Sequence, residues 1–380
     1  MSNPNRVTNT VQHNTDASAQ STKTKNHSQR ALGCGCMSVV FGFIVIIIVA
    51  ASAYMLNFAL RPDKNKGRDD YNGQFAKMEK RYPWIKPWVD SLRTNHAIRD
   101  TFVMAADGDR HHAIIIKAPV QKQLKAHKGI ASPLPKGEGS AVLIPGYTDC
   151  AIDMLHFGYI YNKLLGMNLL IPDLHGNGKS DGKAMQMGWK DREDVLQWIA
   201  IADSLFAGAD GHASIVVHGV SMGAATTMNV AGAIQNSKIK NQNPDNPKLQ
   251  AKLNADVKCF VEDCGYTSVW DEFGYELGEE FGLPEFPLLY SASALCKLKY
   301  GWTFGEASPL KQVARCTKPM LFIHGGNDTY VPTRMVYPLY NAKPAPKYLV
   351  VYHGSIHARS YCDHHVDYER RIKAFVERYM

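Results

Sequence analysis

The 380-residue sequence predicts an α/β fold: a mainly parallel sheet flanked by helices, with a small helical cap and a membrane-crossing helix near its N-terminus. Three observations carry this. Short apolar runs starting at Ala141, Asn168, Ser214, Val257, Met320 and Tyr348 alternate with helix-compatible stretches, the pattern of parallel strands joined by crossover helices. Gly219-Val220-Ser221-Met222-Gly223 sits directly after one such run, Ser214 to Val217, and opens a small-residue stretch, Met222 to Ile234. Val39 to Leu60 contains no charged residue. At roughly 22 residues it makes a helix of about 33 Å, enough to cross a hydrocarbon core of about 30 Å.

In chain order, residues 1–36 are a polar tail rich in Asn, Thr, Ser, Gln and Lys, too poor in apolar residues to offset their ordering entropy, and are expected to be disordered. Residues 37–60 are read as a transmembrane helix. Ala51-Ser52-Ala53 resembles a signal-peptidase site, but the apolar run continues to Leu60 and the preceding tail is long, so a retained single-pass anchor is the preferred reading. Residues 61–97 form a stalk or linker, or short helices packed on the domain; Tyr82-Pro83-Trp84-Ile85-Lys86-Pro87-Trp88 suits either the domain surface or a lipid interface. Residues 98–380 are the α/β domain. Thr101 to Met104 and His112 to Lys117 flank Asp107-Gly108, a hairpin signal, and residues 121–138 read as a surface loop. Trp189 to Phe206 is an amphipathic helix with Val195, Trp198 and Ile199 on one face. The interval 266–306 is too long for a simple connection and too aromatic for a solvated loop, so it is assigned to the cap, placed over the strand ends.

Gly-x-Ser-x-Gly between a strand and a helix forces the serine into a strained turn, and the glycines keep side chains clear of it. Ser221 is therefore the candidate nucleophile. Acyl transfer puts charge on the carbonyl oxygen, and two backbone N–H groups must face it. Met222, just after the serine, supplies one; Tyr147, in the Pro145-Gly146-Tyr147-Thr148 turn after the strand Ser140 to Ile144, supplies the other. Asp328, just past the strand Met320 to His324, is the candidate acid, with Asp263 at the end of the strand Val257 to Val261 as its competitor. His357, in the loop after the last strand, is the candidate base, with His353 as a nearby rival. His218 is expected under the serine turn, His324 inside the sheet end, and His364 and His365 in solvent at the start of the terminal helix.

From about Val103 onward the chain resembles the α/β-hydrolases, and within them the bacterial membrane-anchored, serine-aminopeptidase-like hydrolases. The residues concerned are His218-Gly-Val-Ser-Met-Gly223, Val261-Glu-Asp-Cys-Gly-Tyr-Thr-Ser268, Phe322-Ile-His-Gly325 with Asp328, and Gly354-x-x-His357. Pro172-Asp173-Leu174-His175-Gly176-Asn177-Gly178-Lys179-Ser180 matches the family's glycine-turn segment, with His175 and Asn177 where arginine and histidine are usual. The resemblance implies a Ser221-His357-Asp328 triad and hydrolysis of an ester or short peptide, not which of the two. No compact acidic cluster for a substrate amino group is evident, which favours esters, although Glu276, Glu279 and Glu280 would serve if they faced inward.

Composition is consistent with one globular domain: 45% hydrophobic residues and a net charge of +8, a modest excess that suits an anionic membrane surface. There is no G-x-x-x-x-G-K phosphate loop, no zinc-ligand spacing (Cys34-x-Cys36 lacks a second pair) and no nucleic-acid fingerprint, so neither a cofactor, a metal nor a nucleic-acid partner is expected. The sidedness cues disagree. Arg61, Lys64, Lys66 and Arg68 place the C-terminal side in the cytoplasm, and the lack of disulfide spacing agrees with that. The resemblance places it outside.

Overall fold

The computed structural model describes residues 39–62, 70–105, 108–119, 139–239 and 255–380. The predicted disordered tail and the predicted surface loop 121–138 lie outside them. Eight strands form one sheet: β1 (Arg99–Met104), β2 (Arg110–Ile116), β3 (Gly139–Ile144), β4 (Asn168–Pro172), β5 (Ser214–Val220), β6 (Val257–Asp263), β7 (Met320–Gly325) and β8 (Lys347–Tyr352). Their order is β1-β2-β4-β3-β5-β6-β7-β8. β1 and β2 form the predicted hairpin, and β2 runs antiparallel to β4. Every pairing from β4 across to β8 is parallel.

Burial follows from this topology. β3, β4 and β7 are buried at every position, as expected where helices cover both faces of a parallel sheet. The edge strand β1 is exposed or half-exposed throughout. On one face pack α4 (Asp191–Leu205), with Val195, Trp198 and Ile199 buried as predicted, and α5 (Met222–Ile239), which runs back from the serine turn. The other face is covered by α2 (Tyr71–Arg81), α3 (Lys86–Thr94) and the terminal helix α8 (His365–Tyr379). Residues 71–94 are thus no free-standing stalk. Phe75, Met78, Ile85, Val89 and Leu92 are buried in the same core as Leu143 and Ile171, because the Tyr/Trp/Ile spacing gives each short helix one apolar stripe.

The cap is present as two helices, α6 (Val269–Phe281) and α7 (Leu288–Tyr300), inserted between β6 and β7. Ser268 caps α6 by accepting the Asp271 N–H, and Gly282 ends it at φ +62°. Trp302 and Phe304 bury the underside of the cap, while Phe286 and Tyr290 remain exposed. The apolar run is one helix, α1 (Val39–Leu60), 22 residues with a mean hydropathy of 2.7, long and apolar enough to cross a membrane. Its last turns touch the domain: Ser52, Leu56 and Leu60 are buried, one face at four-residue spacing.

Candidate active site

The turn from β5 into α5 is built as its sequence requires. Ser221 sits at φ +56°, a conformation a non-glycine residue rarely adopts, and its N–H is tied to the Asp263 carbonyl at 2.8 Å. A Cβ on Gly219 would lie 2.0 Å from the Gly223 carbonyl oxygen, and one on Gly223 would lie 2.1 Å from that of Ile144. The chain can therefore fold back this tightly only with glycine on both sides.

The loops after β7 and β8 bring two further side chains to this turn. His357 Nε2 lies 2.8 Å from Ser221 Oγ, and His357 Nδ1 lies 2.7 Å from Asp328 Oδ2. The second carboxylate oxygen of Asp328 accepts the N–H groups of Tyr330 and Val331, both at 3.0 Å. His324 Nε2 is 3.4 Å from the oxygen that faces His357. Burial alone would raise the Asp328 pKa; the hydrogen bonds from His324 and His357 outweigh it and hold the carboxyl below its ordinary value. The Tyr330 ring stands against the His357 imidazole, centroids 4.9 Å apart. The segment from Gly325 to Tyr330 thus supplies both the candidate acid and a ring that packs on the candidate base.

The rivals are bonded otherwise. Asp263 Oδ2 accepts the Tyr368 hydroxyl at 2.9 Å, and burial raises its pKa to about 6. His353 is exposed. His218 is buried beneath the turn between the Tyr161 and Tyr368 hydroxyls, and burial lowers its pKa to about 3. His324 sits inside the sheet end, and its Nε2–H donates to the Val331 carbonyl at 2.9 Å. His364 and His365 differ from the solvated pair expected: they are half-buried, stacked on Tyr352 and Trp84. Asp173 is structural, bonded to His112 Nδ1 at 2.7 Å and to the Ala151 N–H at 2.6 Å.

Tyr147, Met222 and Ser221 line one cleft of about 1070 Å³, the size of a small-molecule site. Met222 is the first residue of α5, so its N–H belongs to the unpaired first turn of a helix. Three features of this cleft add to the sequence reading, which names Glu276, Glu279 and Glu280 as candidate inward carboxylates. One wall is the end of α1, with Tyr54, Met55, Phe58 and Ala59. A second is a row of carboxylates, Glu272, Glu276 and Glu280, at four-residue spacing on α6. Glu279, grouped with them in the sequence, is exposed and not part of this lining, whereas Glu272 belongs to it; the helical period was the signal. The third is the Tyr147 hydroxyl, which donates to the Ala59 carbonyl at 2.8 Å. Burial, then the charge of Glu280, raises the Glu276 pKa to about 7. Glu272, buried, is also pushed well up, and its Oε2 makes no hydrogen bond.

Among the described residues, two groups bring three metal-ligating atoms within 4.8 Å of one another. Cys264, Asp328 and His357 form part of the constellation above; His111, His175 and Asp194 stand outside the cleft lining.

No protein-family model matches the sequence. The uncharacterized protein YqkD of Bacillus subtilis (strain 168) is 29% identical over 237 residues, 62% of this chain and 70% of that protein. Among solved structures, a Pyrococcus furiosus esterase superposes with a TM-score of 0.51 at 19% identity, covering 74% of this chain and 93% of its own. A Mycobacterium tuberculosis puromycin-hydrolyzing peptidase superposes with a TM-score of 0.51 at 18% identity, over 73% of this chain and 38% of that one. These likenesses fix the fold: the chain has the α/β-hydrolase fold.

Proposed function

We propose that this chain is a membrane-anchored serine hydrolase that cleaves a carboxylic ester through an acyl-enzyme. The observation that supports it is the His357 imidazole, within hydrogen-bond reach of the Ser221 hydroxyl on one side and the Asp328 carboxylate on the other. In this reading Ser221 Oγ attacks the carbonyl carbon and its proton passes to His357 Nε2. Asp328 keeps the Nδ1–H tautomer and stabilises the imidazolium. The Tyr147 and Met222 N–H groups hold the oxyanion. The leaving alcohol takes the proton from His357, and water, deprotonated by the same imidazole, releases the acid.

The row Glu272, Glu276 and Glu280 favours a second reading, an aminopeptidase-like amide hydrolase, since carboxylates beside the nucleophile suit a substrate ammonium. The anchor is α1, with the catalytic domain on the extracytoplasmic side; the basic flank after Leu60 argues the other way, and protease shaving of intact cells decides. The chemistry is tested with a fluorophosphonate probe: labelling should occur in the wild type and vanish in Ser221→Ala while far-UV dichroism is unchanged. Equal labelling of both removes Ser221 from the mechanism. Comparing a nitrophenyl ester with an aminoacyl-arylamide then separates the two readings.

A further inference from the structure

The apolar helix does more than end at the domain. Only one face of its last turns is covered: Ser52, Leu56 and Leu60 are buried, and Ala53, Tyr54, Asn57 and Phe58 are exposed. Ser52 Oγ lies 2.5 Å from Ser291 Oγ and donates to the Leu288 carbonyl at 3.2 Å, which fastens α1 to the cap helix α7. The Leu60 carbonyl accepts the Met185 N–H at 2.7 Å. Between these fastenings the same turns line the cleft that holds Ser221, opposite Phe273, Leu277 and Leu289 of the cap. Leu56 belongs to the domain's own core.

Length then decides where the cleft opens. Once residues 52–60 are held by the domain, the rest of the apolar run read from the sequence, residues 39–51, spans about 20 Å as a helix, short of a hydrocarbon core of about 30 Å. A bilayer threaded by α1 must therefore reach the docked turns and the cap around them. That part of the cap carries exposed Phe281, Leu283, Phe286 and Tyr290, where a water-facing turn would carry polar residues.

We infer that the cleft opens into the lipid and that its substrate is a bilayer-dissolved, long-chain acyl ester, whose acyl chain lies along Met55, Leu56 and the cap while its carbonyl meets Ser221. This rests on the serine-hydrolase reading. Hydrolysis breaks the acyl C–O bond; water supplies OH to the acyl carbon and H to the alcohol, and the fatty acid and alcohol return to the membrane.

The full-length protein in phosphatidylcholine vesicles tests this with two probes, ethyl and hexadecyl fluorophosphonate, by the ratio of their labelling rates at Ser221. Leu56→Trp fills the chain path, and the long-to-short ratio should fall at least tenfold against wild type in the same vesicles; an unchanged ratio overturns the inference. A Ser52→Cys/Ser291→Cys pair tests the docking without altering the core. Mild oxidation should join the cyanogen bromide peptides 38–55 and 229–320. Absence of that product, with Ser221 still labelled by the ethyl probe, also overturns the inference. Failure of the ethyl probe on the wild type is a different result, and removes the hydrolase reading itself.

Discussion

The floor and the roof of the cleft are made in opposite ways. The floor is the carboxyl edge of β5, β7 and β8, where each functional side chain stands a few residues past a buried strand. It is rigid because the register of neighbouring parallel strands fixes where each loop begins, and because backbone packs so closely around Gly219 and Gly223 that an added Cβ would lie 2.0 and 2.1 Å from a carbonyl oxygen. The roof is assembled from α6, α7 and the end of α1, elements more than two hundred residues apart in sequence. It is held by packing and a few hydroxyl hydrogen bonds. On the reading proposed above, the chemistry resides in the stiff part and selectivity in the adaptable one.

Substitutions should separate the two regions. The largest effect is expected in the floor: Asp328→Asn should lower kcat for a nitrophenyl ester by roughly 10⁴-fold, with Tm little changed, because His357 loses its tautomer partner. A loss under tenfold would transfer the role to another acid. Gly219→Ala, also in the floor, should cost about 3–5 kcal/mol, as its Cβ meets backbone and not a side chain that can swing aside; denaturant unfolding measures it, and a near-neutral result would show that the turn can relax. In the roof, Glu276→Gln should raise KM for an aminoacyl-arylamide about fivefold and leave the ester unaffected. Its pH signature follows from the raised pKa: the carboxyl is neutral below about 7 and ionises above, so the wild-type KM for the amine substrate should fall as pH rises through 7, and the variant should lose that step. Equal pH profiles would detach Glu276 from substrate. The smallest effect is expected at Gly282, where φ is +62° but a Cβ would meet nothing. Gly282→Ala should cost only about 1 kcal/mol by the same unfolding measurement. If it matches Gly219→Ala, the contrast between floor and roof fails.

The difference also governs what could be read from the sequence. Strand-then-loop signals are local, which is why Ser221, Met222, Tyr147, Asp328 and His357 could be singled out as candidates; the structure joins Ser221, His357 and Asp328 by hydrogen bonds and lines one cleft with Ser221, Met222 and Tyr147. The strand pattern was legible for the same reason, to within two residues at most ends. The α1 wall was not, since nothing in an apolar run says that four-residue spacing of Ser52, Leu56 and Leu60 will meet a domain rather than lipid. Glu272 was missed because charge was counted along the chain and not around the helix. Residues 71–94 left a stalk and domain-packed helices both open, because their apolar stripes are short and interrupted by Lys and Arg; the structure packs them on the domain.

The hydrogen bond from the Tyr147 hydroxyl to the Ala59 carbonyl has a practical corollary. That carbonyl is among the last four of its helix and has no partner within it; the phenol that satisfies it belongs to the residue whose own amide faces the reacting carbonyl in the scheme above. Trimming the chain after Leu60 to obtain a soluble protein would cut this tether. Assays on such a shortened form would then report a slackened oxyanion loop and an open-sided cleft, and would understate both turnover and discrimination by the intact molecule.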